Sequence, residues 1–255
     1  MNRVLITGAT GFLGCPLVEH LTALGHEVNC LVRSSSNLDR IQCYRPRFVY
    51  GDVTDPESVE RALVGMDVVY HLAGLTKSLR KGEMQHVNVT GAGTVAACCA
   101  RQTSPPVLVM ASSLAAAGPA PKHRLLSESD PAVPVSHYGR SKRDGELQMH
   151  SRADCLPITI IRPGIVFGPR DKLALPIYRS IYRMRLHVVT SFRTPPLSMI
   201  YVEDLVQIVL AAIERGETLR PVSRGEYSPT GIYFACDDSE FPTYWTYGKM
   251  IGESL

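Results

Sequence analysis

Tyr138 and Lys142 stand four residues apart in the run His137-Tyr138-Gly139-Arg140-Ser141-Lys142, and Ser113 lies twenty-five residues before the tyrosine. On a helix, residues at that spacing share one face. A phenol exchanges protons poorly near neutrality, because its ordinary pKa is about 10. A neighbouring ammonium favours the phenolate, and so does the positive end of a helix. Ser136 is placed to cap such a helix, with Tyr138 in its first turn. Bringing the phenol to about pH 7 requires roughly 4 kcal/mol of differential stabilisation, which the lysine and the helix end are expected to supply. A tyrosine tuned in this way can move a proton at a carbonyl or carbinol oxygen while a hydride moves at the carbon. The spacing also arises often by chance, so the pair alone identifies nothing.

The N-terminus gives the pair a context. Val4-Leu5-Ile6-Thr7 reads as a short apolar strand, and Leu13, Leu17, Leu21 and Leu24 follow at helix spacing. Between them lie Gly8, Gly11 and Gly14, with Thr10, Phe12 and Leu13 interleaved. A glycine turn placed after a strand and before a helix suits a dinucleotide. The first glycine permits the tight turn, the second lets backbone approach a pyrophosphate, and the third packs helix on strand. Pro16 is compatible only with the first turn of that helix.

The elements that must position these groups alternate along the chain. Strands are predicted near 3–7, 27–32, 47–51, 67–72, 106–112 and 157–163, and helices near 12–25, 56–65, 83–102 and 137–152. Such alternation implies a parallel sheet covered by helices on both faces. From Pro169 the pattern loosens into a helix near 172–185, a strand near 198–202, a helix near 204–215 and a strand near 231–236. The fold class expected is α/β, a Rossmann-type doubly wound sheet. Residues 1–168 would form the dinucleotide-binding part and 169–255 a smaller substrate-binding region that interleaves with it.

Composition narrows the classes. An apolar share of 45% is ordinary for a globular chain. No run of 18 apolar residues suggests a membrane span, and no secretory signal is visible at the N-terminus. Seven cysteines without a C-x-x-C pair read as reduced thiols, and the expected location is cytoplasmic. The eight histidines show no ligand spacing, so no metal is expected, and a net charge of +3 is too small to argue for nucleic acid.

Taken together, the motifs resemble the extended branch of the short-chain dehydrogenase/reductase superfamily, the NAD-dependent epimerase/dehydratase type. The resemblance runs over nearly the whole chain. In that family Asp52 and Val53 sit near the adenine, and Leu72, Ala73 and Gly74 line the middle of the cofactor. Ser113, Tyr138 and Lys142 follow in the family's order as the catalytic residues, with Tyr138 and Lys142 also touching cofactor. The segment Arg162–Pro169, with Pro163 and Val166, looks like the one that covers the nicotinamide. Met199–Asp204 resembles the late strand and helix start.

The end of the second strand bears on cofactor choice. NAD-preferring proteins carry an acid there for the ribose hydroxyls. Here Val32 stands in the acidic position, followed by Arg33, Ser34, Ser35 and Ser36, and a guanidinium with hydroxyls suits a phosphate. Arg40 matches a second basic position in dihydroflavonol-reductase-like members. NADP(H) is therefore the expected cofactor, with NAD(H) as the alternative.

Dehydratases of the family carry an acid where this chain has Leu114, so the resemblance implies an oxidoreductase acting between a secondary alcohol and a ketone. Ser113–Pro119 and Gly231–Asp238, the latter followed by a Tyr-containing helix, are similar to segments of 3β-hydroxysteroid and sterol dehydrogenases. A nucleotide-sugar epimerase is a second reading, in which Arg170, Arg179, Arg183 and Arg185 would meet a diphosphate. A cofactor-sensing, non-catalytic relative is a third. The partner expected is a small-molecule substrate bordered by the 75–86 and 119–135 loops. By family analogy the chain would form a homodimer through the helices near 83–102 and 137–152.

Overall fold

The computed structural model describes residues 1–121, 124–189, 194–223, 226–237 and 241–254. Its centre is a seven-stranded parallel sheet in the order β3-β2-β1-β4-β5-β6-β9. The strands are β1 (Arg3–Thr7), β2 (Glu27–Val32), β3 (Arg47–Tyr50), β4 (Val68–His71), β5 (Val107–Ala111), β6 (Ile158–Pro163) and β9 (Ile232–Ala235). A separate parallel pair joins β7 (Ile165–Phe167) to β8 (Met199–Tyr201). Val4 to Thr7 are all buried, as expected for strands covered on both faces.

Alternation along β1 sends Val4 and Ile6 to one face and Leu5 to the other. On the first face α1 (Gly14–Ala23) and α8 (Val202–Arg215) pack through Leu17, Leu21, Val206 and Val209. On the second, α2 (Pro56–Leu63), α4 (Gly91–Ala100) and α6 (His137–His150) contribute Val59, Leu63, Val95 and Met149. Chain direction across the sheet reverses between β1 and β4, which opens a crevice at the C-terminal ends of those strands. Every residue proposed for chemistry lies toward that end.

The predicted strands match the observed ones to within a residue or two. The predicted helix over 83–102 is instead a short α3 (Glu83–Gln85), a π-helical turn (His86–Thr90) and α4. The helix expected from 12 begins at Gly14, with Pro16 inside its first turn. Three elements escaped the periodicity because they are too short to show one: β7, a 3₁₀ turn at Gln42–Tyr44, and α5 (Leu114–Ala117). The C-terminal region contains α7 (Leu175–Met184) and α9 (Tyr244–Ser254), which pack on each other. It also supplies β9, paired in register with β6 from Ile160↔Ile232 to Pro163↔Ala235.

Candidate active site

The glycine turn has the shape that a dinucleotide requires. Gly8 has φ +74°, and a Cβ there would stand 2.7 Å from the backbone of Leu72 and Ala73 on the neighbouring strand end. A Cβ on Gly14 would stand 2.3 Å from the Gly8 carbonyl oxygen, so the third glycine seats α1 against the turn. A Cβ on Gly11 would meet only that carbonyl, at 3.1 Å, and its other side faces the cleft. The turn thus presents bare backbone at the positive end of α1, which fits a pyrophosphate. Thr10, Gly11, Phe12 and Arg40 line a cleft of about 1060 Å³. Leu13 packs against the core beside them.

Ser113, Tyr138 and Lys142 come together from two elements. Ser136 caps α6, its Oγ accepting from the Gly139 N–H at 2.9 Å, so Tyr138 lies in the first turn. Ser113 caps α5, its Oγ accepting from the Ala115 N–H at 3.1 Å, and its hydroxyl lies near enough to Tyr138 to favour the phenolate. Both residues line the same cleft. Lys142 is buried and its Nζ donates to the Ala111 carbonyl at 2.7 Å. Burial brings its pKa down from 10.5 to about 8, against the opposing charge of Glu146.

The expected electrostatics of the tyrosine are corrected here. Burial raises the Tyr138 pKa, and the Ser113 hydroxyl opposes this only in part. Removing a phenol from water penalises its anion, and Lys142 is turned to the Ala111 carbonyl. In the free chain Tyr138 is therefore a protonated phenol at neutral pH.

Asn88 was not read from the sequence. It sits on the π-helical turn, a distortion that recurs at functional sites. Its Oδ1 accepts from the Leu75 N–H at 2.7 Å, and its Nδ2 donates to the Leu75 carbonyl and to Ser141 Oγ, both at 2.9 Å. A Cβ on Gly74 would stand 3.2 Å from Asn88 Oδ1 and 3.5 Å from Lys142 Nζ, so Gly74 lies beside the lysine. An asparagine set among the weak helix formers Val87, Val89, Thr90 and Gly91 was the available signal. Behind β4, Thr7 Oγ1 pairs with His71 Nδ1 at 2.9 Å and accepts from the Ala73 N–H at 3.3 Å. His71 is buried and its pKa falls to about 3, so it is neutral.

The remaining expected residues divide. Pro163 and Val166 line the cleft, but Arg162 turns away into the core and pairs with Glu146. Leu72 and Ala73 pack at the strand end against opposite cores. Val53 packs on α4, where a Cβ on Gly91 would lie 2.8 Å from its Cγ2. The Asp52 carboxylate is taken up by Thr54, accepting from its N–H at 2.9 Å and its hydroxyl at 2.8 Å. The Val32 side chain is buried in the core, where the strand's alternation sends it. Arg33 and Ser34 are the first exposed residues beyond it.

Arg170 lines the cleft, in a left-handed conformation (φ +75°), whereas Arg179, Arg183 and Arg185 are solvent-exposed on and just past α7. Asp238 and, in the 119–135 loop, Lys122 and His123 lie outside the described residues. Among the described residues no cluster of metal ligands occurs, and no helix is long and apolar enough to cross a membrane.

Part of the cleft lining is apolar. Leu173, Ile177, Leu197 and Met199 form it with Phe241, Tyr244 and Tyr247 of the α9 region. Met199 and the tyrosine-bearing helix were noted in the sequence only as family segments, not as a substrate wall, because such a wall has no spacing rule.

Comparisons with known proteins agree with this geometry. Sterol demethylase protein B of Methylococcus capsulatus is 32% identical over 226 residues, covering 83% of this chain and 66% of the relative. Ceramide reductase of Caulobacter vibrioides is 33% identical over 208 residues, covering 82% and 60%. The chain therefore spans less than two thirds of the length of these two relatives. A solved UDP-glucose 4-epimerase from Thermotoga maritima, with UDP-glucose, superposes with a TM-score of 0.83 at 21% identity, over 98% of this chain and 82% of that one. Residues 4–223 match the family described as NAD dependent epimerase/dehydratase. With its glycine turn, its parallel sheet and that match, the chain belongs to the NAD-dependent epimerase/dehydratase family, the extended branch of the short-chain dehydrogenase/reductases.

Proposed function

We propose that this chain is an NADP(H)-dependent oxidoreductase that interconverts a secondary alcohol and a ketone on an apolar, sterol- or hydroxysteroid-like substrate. The observation that carries this reading is that one cleft gathers three kinds of lining: the glycine turn with Arg40, the Ser113 and Tyr138 side chains, and a set of apolar residues. Gly8, Gly11 and Gly14 with the N-terminus of α1 would hold the pyrophosphate. Arg33, Ser34 and Arg40 would meet the 2′-phosphate that distinguishes NADP(H), since Arg33 follows the last buried residue of β2. The bound dinucleotide supplies or accepts the hydride.

The chain's own residues do the rest. Ser113 donates to the substrate oxygen and fixes its place between hydroxyl and phenol. Tyr138, protonated in the free chain, gives its proton to that oxygen in the reductive direction and takes it back in the oxidative one. Lys142 sets the charge beneath the site, lies beside Gly74, and would also contact the nicotinamide ribose. The sterol and ceramide named for two relatives are apolar molecules, as the apolar lining would favour.

Tyr138→Phe tests the reading. Turnover should fall by about a hundredfold or more while cofactor affinity stays near that of the parent. Undiminished turnover would remove Tyr138 from the chemistry. Nucleotide-sugar epimerisation has Arg170 and Lys172 on the cleft wall in its favour. Tight binding of UDP-glucose, with no oxidation or reduction of any apolar alcohol or ketone, would establish that reading instead.

A further inference from the structure

Three successive residues at the end of β5 are fastened to three positions on one face of α6. Ala111 accepts from Lys142, the Ser112 hydroxyl donates to Glu146 Oε1 at 2.5 Å, and the Ser113 hydroxyl meets Tyr138. Tyr138, Lys142 and Glu146 are spaced by four, so the carboxylate continues the line of the two chemical residues one turn deeper. Glu146 has no exposed side-chain surface and neither does its partner Arg162. Arg162 reaches it from β6 with two parallel bonds, Nε to Oε1 at 2.8 Å and Nη2 to Oε2 at 2.7 Å. Arg143 adds a third donor at 3.0 Å. On its other side the Arg162 guanidinium lies over the ring of Phe234, 5.8 Å from its centroid, and Phe234 lines the cleft. One carboxylate therefore ties together β5, α6 and β6 immediately beneath the hydroxyl pair.

A buried ion pair is poor evidence for stability, since its desolvation offsets most of its attraction. Its placement has to be explained by something else. Among the described residues, the other elements around Lys142 contribute no opposing charge. His71 on β4 is neutral, Asn88 on the π-helical turn is an amide, and β5 offers the Ala111 carbonyl. Arg162 on β6 and Arg143 on α6 are cations, Tyr138 is a protonated phenol, and His150 further along α6 is kept neutral by burial. Glu146 is the acid whose charge acts on the lysine.

We propose that Glu146, held by Arg162 and Ser112, is a positioning residue for the reaction: it fixes Ser113 and Lys142 relative to each other and sets the alkaline limit of turnover. The inference rests on the functional reading above. Below the Lys142 pKa of about 8 the site has its ammonium, and above it the ammonium is lost. Removing the carboxylate removes the charge that favours the ammonium, so the alkaline limb moves to lower pH. Well above the displaced midpoint, turnover falls roughly tenfold for each pH unit of displacement.

Glu146→Gln is the direct variant. Since it leaves Arg162 buried and unpaired, the double variant Glu146→Leu with Arg162→Met is made alongside, replacing both charges by apolar groups. Ser112→Ala loses one hydrogen bond and leaves each charge paired, so it reports even where the carboxylate variants fail to fold. Two readouts are taken: the pH profile of kcat, and the titration of Lys142 followed by carbon NMR of the lysine Cε in the free protein.

The expected result is a Lys142 midpoint below that of the parent in both carboxylate variants, with the kcat limb displaced in the same direction. Ser112→Ala should lose on the order of tenfold in kcat with KM and cofactor affinity kept. Unchanged Lys142 titration in a folded carboxylate variant, or an unchanged kcat in Ser112→Ala, overturns the proposal. The NMR titration needs no turnover. A failure of the oxidoreductase reading, seen as unaffected activity in Tyr138→Phe, is therefore distinguishable from a failure here.

Discussion

Gly14 and Gly11 look alike in the sequence and should fail in opposite ways when replaced by alanine. At Gly14 the added methyl would stand 2.3 Å from the Gly8 carbonyl oxygen and 2.7 Å from both the Cα and the carbonyl carbon of Ala9. All three are backbone atoms of a turn pinned between β1 and α1, so none can swing aside as a flexible side chain would. Forcing a methylene-sized group into such a contact costs about 1–3 kcal/mol, and backbone neighbours place Gly14→Ala at the upper end, about 3 kcal/mol. For a chain of this size that lowers the melting temperature by roughly 6–12 °C. At Gly11 the methyl meets the same Gly8 oxygen, but at 3.1 Å, a shortfall of only a few tenths of an ångström. Gly11→Ala should melt within about 2 °C of the parent, since a relieved contact of this kind costs under about 0.5 kcal/mol. It should nevertheless bind cofactor at least tenfold more weakly, because the methyl occupies the face offered to the phosphates. Differential scanning fluorimetry and a cofactor fluorescence titration on both variants measure the two effects. Equal melting temperatures for Gly14→Ala and the parent, or parental cofactor affinity in Gly11→Ala, would refute this account of the turn.

Lys142→Ala should reduce both turnover and cofactor affinity, checked by steady-state kinetics and the same titration. Parental values in both would mean that the lysine serves only the Ala111 carbonyl. Burial lowers the folded pKa of Lys142 from 10.5 to about 8, so between those values the unfolded chain holds a proton that the folded chain has released. Stability contributed by Lys142 should therefore rise with pH across that window, and urea unfolding of parent and Lys142→Met at several pH values should show the parent gaining on the variant. Arg33→Ala should erase most of a ten- to hundredfold preference for NADPH over NADH, the size expected from a charge-assisted contact of about 1.5–3 kcal/mol. Titrating both cofactors checks it, and equal affinities in the parent would end the NADP(H) reading. Thr7→Val strips the partner from His71 Nδ1 and from the Ala73 N–H and should cost about 1–3 kcal/mol in urea unfolding.

Patterns with a period were legible before the structure. The strands show it best, because a strand buried on both faces is a largely apolar run bounded by turns, and β1 and β2 end within a residue of where those runs end. Ser113, Tyr138 and Lys142 were found because helix spacing and a cap fix two of them on one face. Asn88 was hidden by the assumption of a continuous helix, since a π turn leaves the composition of a helix unchanged. Glu146 repeats the four-residue step from Lys142 and was in principle readable. Its meaning came only with Arg162, which approaches from a strand sixteen residues further on. The sign of the Tyr138 shift was misjudged because spacing shows a lysine nearby and says nothing about the burial that outweighs it. The apolar wall draws on α7, β8 and α9, and no local rule links those segments.

The pairing of β9 with β6 has a consequence for how the chain is made. Strands β1 to β6 leave the ribosome in an order that lets each find a neighbour soon after synthesis. β6, however, lies beside β5 with its other edge unpaired until Ile232–Ala235 has been translated. At about 5–20 residues per second, the intervening stretch keeps that edge open for several seconds. The exposed segment is Ile158-Thr159-Ile160-Ile161, a β-branched run with free backbone donors and acceptors, the kind of edge that recruits other chains. Nascent chains stalled in this interval are therefore the aggregation-prone species. Arrest of translation before Ile232 should leave them dependent on a chaperone that can shield a sheet edge.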